Sequence, residues 1–137
     1  MGMRVMLDTN VLLSAVIFRS SVMEEVIAVA SRGDNELVLC TYVIDEARDV
    51  VARKWPSRSR VLEDFFLRLS FDTVVTPIEP DSGRFEIRDP DDYPVLYSAV
   101  IGAVDVFVTG DKDFDDVRIE YPEIMTPAAF IESYRNT

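Results

Sequence analysis

A three-layer α/β/α sandwich around a mainly parallel sheet of about five strands is the fold this sequence predicts. Three observations predict it. Short apolar runs alternate with amphipathic stretches, the pattern of strands joined by crossover helices. One run, "VDVFVTG" at 104–110, is apolar without alternation, as a strand covered on both faces must be. Apolar residues make up 48% of the 137, enough for one core. No internal repeat, low-complexity tract or linker composition interrupts the chain, so residues 1–137 are expected to form a single domain.

The elements follow in order. "MRVMLD" (3–8) reads as the first strand, and "NVLLSAVIF" (10–18) as a helix with Asn10 as its N-cap. "SSVMEEVIAVASRG" (20–33) places Met23, Val26, Ile27 and Ala30 at helical spacing, and Gly33 closes it. "NELVLCT" (35–41) is a short apolar strand. "YVIDEARDVVARKW" (42–55) is a helix with Val43, Ala47, Val50 and Val51 inward, stopped by Pro56. "SRSRVLEDFFLRLS" (57–70) is another, with Val61, Leu62, Phe65, Phe66 and Leu69 on one face. "DTVVTP" (72–77) is a strand, residues 78–92 a polar loop, and "YPVLYSAVIGA" (93–103) a helix that tolerates Pro94 in its first turn. After "VDVFVTG" come a loop at 111–122, a last strand "EIMT" (123–126), and a helix capped by Thr126 with Pro127 in first position.

Composition excludes several chemistries. With no histidine and one cysteine, Cys40, neither an imidazole or thiolate zinc site nor a Ser-His-Asp triad can be built. Any metal must be held by oxygen, which points to Mg²⁺ or Mn²⁺. A lone cysteine allows no internal disulfide and fits a reducing cytoplasm. No apolar run is long enough for a membrane span, and the first residues lack a signal-peptide pattern. The formal charge is −11. Residues 69–137 carry 5 basic and 15 acidic side chains, whereas residues 47–68 are net +3. The overall balance is unlike a nucleic-acid binder with a basic stripe. It is the balance of a soluble surface, or of acids that converge on a cation.

The acids have a place to converge. In parallel sheets, ligand sites form outside the carboxyl ends of strands, where the strand order reverses. Asp8 ends the first strand, and Asp111 and Asp113 follow "VDVFVTG". Asp91 and Asp92 open the helix that feeds that run, and Glu46 lies early in the helix after the second strand. If the first and fourth strands are neighbours, these acids face one crevice. Carboxylates that close raise each other's pKa, and a divalent cation relieves the repulsion.

At these residues the chain resembles the PIN-domain family, and within it the VapC-like toxins of toxin–antitoxin pairs. "MLDTNVLLSA", "TYVIDEARDVV" and "RDPDDYPVLYSAVIGAVDVFVTGDKDF" carry the resemblance, in the family's order and spacing from residue 3 to about 131. It implies Asp8, Glu46, Asp92 and Asp111 as the catalytic, metal-holding acids, with Asp113 as an addition from the same loop. It also implies Thr9, Asn10 and Thr109 as polar supports. Tyr93 departs from the asparagine that the subgroup usually has; a tyrosine there would cover the pocket mouth or stack on a base. The resemblance implies a Mg²⁺- or Mn²⁺-dependent ribonuclease acting on RNA, neutralised by a small antitoxin and often homodimeric.

Each residue also has a plainer reading. Asp8, Asp92 and Asp111 would serve as turn or capping residues, Asn10 as an N-cap, and Glu46 as a solvated helix charge. Asp89 and Asp91 read as loop charges, and Asp105 belongs at the far end of the sheet. Arg53, Lys54, Arg58 and Arg60 are a solvated helix end or candidate RNA contacts. Tyr42, Trp55, Phe65 and Phe66 read as core or dimer packing. Two other functions compete. One is a PIN fold that binds RNA or protein without catalysis. The other is an aspartate-nucleophile phosphohydrolase of the haloacid-dehalogenase type, weakened because the required acid two residues after Asp8 is Asn10.

Overall fold

The computed structural model describes residues 2–136. Five strands, β1 (Arg4–Leu7), β2 (Glu36–Cys40), β3 (Asp72–Val74), β4 (Val106–Val108) and β5 (Glu123–Met125), form one sheet in the order β3-β2-β1-β4-β5. Every pairing is parallel; Met6 on β1 registers with Val38 on one side and Phe107 on the other. Six helices flank the sheet: α1 (Thr9–Val16), α2 (Ser21–Ala30), α3 (Thr41–Lys54), α4 (Ser59–Arg68), α5 (Tyr93–Ile101) and α6 (Pro127–Tyr134). This is the α/β/α architecture read from the alternating pattern.

The central strands are apolar because both faces are covered. Val5, Met6, Leu7, Leu39, Phe107 and Val108 are fully buried, and Phe114 and Phe130 are buried in the same core. Gly102, at the end of α5, is required by close approach. A Cβ there would lie 2.6 Å from a Val74 methyl and 2.9 Å from the Ser98 carbonyl oxygen.

Three expectations are corrected. Asp8, not Asn10, caps α1: its backbone is extended and its carboxylate accepts from the Thr9 amide, so Asn10 falls inside the helix and faces solvent. Second, α2 stops at Ala30 with Ser31 as its cap, and Gly33, at φ +60°, serves the turn beyond. Third, the apolar face of α4 is only partly covered. Leu62 is buried, Phe65, Phe66 and Leu69 are half-buried, and Val61 is exposed, because α4 packs on α3 at the edge of the molecule.

Strand order runs from β1 to β2 in one direction and from β1 to β4 in the other. The reversal therefore falls between β1 and β4. The carboxyl ends of those two strands, and the loops that follow them, form the crevice where a parallel sheet places its ligands.

Candidate metal centre

Asp8 follows the last residue of β1 and is 7% exposed. Its Oδ1 accepts from the Thr9 amide at 2.8 Å, and its Oδ2 accepts from the Thr109 hydroxyl at 2.7 Å. Thr109 follows β4, and its hydroxyl in turn accepts from the Asp111 amide at 3.0 Å. Asp111 Oδ1 accepts from the Asp113 amide at 2.9 Å, an aspartate turn that starts the short 3-10 turn Lys112–Phe114. On the other flank the Thr9 hydroxyl donates to Glu46, in the second turn of α3. A hydrogen-bonded chain thus joins Glu46, Thr9, Asp8, Thr109, Asp111 and Asp113 across three elements.

Asp92 comes from a different direction, at the junction of the 3-10 turn Pro90–Asp92 and α5. Its Oδ2 is buried and has no hydrogen-bond partner among the described residues. Such an atom costs free energy unless a ligand or proton satisfies it. Burial, and then the charges of Asp111, Asp8, Asp89 and Asp113, push the Asp92 carboxyl up to about 7. The Asp8 carboxyl is also raised. Burial is the main cause, Glu46 and Asp111 add to it, and the bonds from Thr109 and Thr9 pull the other way.

The expected acids lie in one another's electrostatic field, but Asp8, Glu46 and Asp111 fall outside the closest group of carboxylate oxygens. Among the described residues, carboxylate oxygens of Asp89, Asp92 and Asp113 lie within 4.8 Å of one another. In an octahedral Mg²⁺ site neighbouring oxygens lie about 3.0 Å apart and opposite ones about 4.2 Å, so these three would have to draw together to hold one ion directly. The donors are all hard oxygens, which suits Mg²⁺ or Mn²⁺.

Asp89 is a correction: read as a loop charge, it joins this set. Its carboxylate accepts from the Asp91 amide at 3.0 Å, and that turn faces it toward Asp92 while Asp91 stays exposed. The signal was the turn chemistry of Asp-Pro-Asp. Tyr42, read as packing, has its hydroxyl pKa raised by burial and by Glu46, Asp91, Asp92 and Asp89, so it borders the acids.

One expected support, Asn10, and the candidate RNA contacts stand apart from the acids. Asn10 is exposed and makes no side-chain hydrogen bond among the described residues. Arg53, Lys54, Arg58 and Arg60 lie toward and beyond the far end of α3, which runs back from the carboxyl edge; seven helical residues separate Glu46 from Arg53 by about 10 Å. Tyr93, the first residue of α5, is engaged by the preceding loop. Its hydroxyl donates to the Asp81 carbonyl at 2.5 Å and accepts from the Arg84 amide at 3.2 Å. Its ring stacks on Phe85 with centroids 4.4 Å apart.

A parallel α/β domain with an oxygen-only acidic crevice at its switch point defines the class of protein. The family model of the PIN domain matches residues 4–113, and the chain belongs to that family. Eight chains of solved structures match the fold. One is the structure of VapBC2 from Rickettsia felis bound to a DNA fragment from their promoter. It superposes with a TM-score of 0.69 over 90% of this chain and 98% of that one, at 17% identity. No curated protein matches the sequence. Among the described residues no helix is long and apolar enough to cross a membrane.

Proposed function

We propose that this chain, as a single PIN domain, is a Mg²⁺- or Mn²⁺-dependent endoribonuclease. We further propose that it is the cytoplasmic toxin of a toxin–antitoxin pair, held in check by a small antitoxin and acting as a homodimer. One observation carries the nuclease reading. The buried, unpartnered Asp92 oxygen sits in the field of Asp111, Asp8, Asp89 and Asp113, an arrangement that is costly unless a proton or a cation relieves it. Membership of a family whose proteins are typically metal-dependent nucleases supports it. The fold shared with VapBC2 supports the pairing with an antitoxin.

Asp8, Glu46, Asp92, Asp111 and Asp113, with Asp89, would hold the ion. When bound, a divalent cation lowers the pKa of the attacking water and stabilises the charge that develops on the leaving 3′-oxygen. The chain supplies orientation. Thr109 fixes Asp8 and the Asp111 backbone together, so the ends of β1 and β4 present their carboxylates in one geometry. Thr9 does the same for Asp8 and Glu46.

The test is cleavage of single-stranded and structured RNAs with Mg²⁺ or Mn²⁺ by the wild type, Asp8→Asn and Asp92→Asn. Wild-type cleavage lost in both variants is expected. Equal activity in all three overturns the assignment. The antitoxin is tested separately, by co-purification with the product of the adjacent reading frame and inhibition of cleavage.

A further inference from the structure

Arg88 is the only basic side chain, among the described residues, that forms an ion pair with an acid of the crevice. It stands on the 75–89 loop, next to Asp89, and reaches across to the turn after β4. One guanidinium nitrogen, Nη2, is 2.5 Å from Asp116 Oδ2, and Nη1 is 3.7 Å from Asp113 Oδ1. The two contacts differ in kind. The first is a charge-assisted hydrogen bond to a carboxylate outside the metal-binding set. The second is a Coulombic contact beyond hydrogen-bond length, to a carboxylate inside it. Lys112, although between Asp111 and Asp113 in sequence, is exposed and pairs with neither.

We propose that Arg88 is a substrate-binding residue that exchanges partners: it screens Asp113 in the metal-free protein and turns to a substrate phosphodiester once a divalent cation occupies that carboxylate. The exchange follows from the competition at Asp113. A divalent ion brings twice the charge to about 2.1 Å, against one guanidinium charge at 3.7 Å, so it takes the carboxylate. Asp116 keeps its hydrogen bond and holds the guanidinium at the rim. The Nη1 edge then faces the crevice with free donors. A planar fork with unspent N–H groups beside a metal site matches the non-bridging oxygens of a phosphodiester. The phosphate half rests on the ribonuclease reading; the metal half does not.

The alternative is that Arg88 only straps the loop onto the turn. The two roles predict opposite signs. Wild type, Arg88→Ala and Arg88→Lys are titrated with Mn²⁺ while thermal stability is followed, and KM and kcat on a short single-stranded RNA are measured across a salt series. Removing the competing charge in R88A is expected to tighten Mn²⁺ about threefold to tenfold. The same variant should raise KM with a smaller change in kcat, and flatten the salt dependence by about one phosphate contact. R88K, which keeps the charge, should leave the Mn²⁺ midpoint near wild type and recover part of the KM. An R88A protein that binds Mn²⁺ more weakly, in step with its loss of activity, is merely unstrapped and overturns the proposal. So does an unaltered Mn²⁺ midpoint, or a tighter midpoint with unaltered KM. A wild type that cleaves no RNA fails the ribonuclease reading by itself; the Mn²⁺ titrations then judge the exchange alone, and a midpoint that does not tighten in R88A overturns it.

Discussion

The two edges of the sheet treat their acids in opposite ways. At the amino edge, Arg4 gathers them. Its guanidinium donates to Glu36, to Asp72 at 2.9 Å and to the Gly102 carbonyl at 3.0 Å, and its backbone amide donates to Asp105 at 2.8 Å. At the carboxyl edge, Asp8, Asp89, Asp92, Asp111 and Asp113 converge with one arginine reaching in from the rim. Both edges concentrate negative charge, yet at only one does each named acid have a donor from a single arginine. Repulsion and desolvation left uncompensated are what a site needs if its cation is to come from solution.

The contrast can be broken from either side. The largest effect is expected at the carboxyl edge. Asp92→Asn should reduce RNA cleavage roughly 100-fold or more, the scale of several kcal/mol lost with a metal contact. It should also raise the melting temperature of the metal-free protein, because an amide replaces a carboxyl that resists ionising. Calorimetry in chelator, alongside the cleavage assay, checks both signs. At the amino edge the outcome should reverse. Arg4→Ala should lower unfolding free energy by roughly 1–2 kcal/mol in urea titrations, as two acids and a carbonyl lose a donor. It should leave the Mn²⁺ midpoint unchanged.

The pH dependence sharpens the comparison. Asp92 and Asp8 have folded-state pKa values above their unfolded ones. The folded state therefore holds protons that the unfolded state has released. Metal-free stability should be highest below the unfolded pKa and should fall as pH rises from about 4 through about 7. For the partly exposed Asp92, solvent screening limits its share to the order of 1 kcal/mol. Saturating Mn²⁺ should erase the decline; a decline of equal size with and without Mn²⁺ would count against a cation in the crevice. The smallest effect concerns the loop beside the site. Tyr93→Phe, which removes an exposed hydroxyl bridging Asp81 and Arg84, should cost about 0.5 kcal/mol and speed proteolysis within residues 78–89.

The parts of the site that interrupt a pattern were legible in the sequence. Asp8 breaks an apolar strand, Asp111 follows one, and Asp92 opens an apolar helix, so each marks an element boundary at the carboxyl edge. The strand-and-helix alternation gave the architecture for the same reason. What was not legible lies where no pattern exists to be broken. In "IRDPDD" three aspartates are alike as letters, and a side-chain bond to the Asp91 amide brings Asp89 inward while Asp91 stays exposed. Arg88 carried no signal either, since its partners Asp113 and Asp116 are 25 and 28 residues away. The start of α1 was misplaced because Asp8 both caps the helix and faces the crevice, and either role alone would account for it.

The hydrogen-bonded run from Glu46 through Thr109 to Asp113 stands on one side of the crevice, and Asp92 with Asp89 stands on the other. Among the described residues Arg88 is the side chain that spans them, by its hydrogen bond to Asp116 at 2.5 Å and its ion pair with Asp113 at 3.7 Å. The crevice is thus a vice with one jaw pinned by side-chain hydrogen bonds and the other carried by the start of α5 and its turn. A ligand that drew Asp89 and Asp92 toward Asp113 would leave the pinned wall's own hydrogen bonds intact.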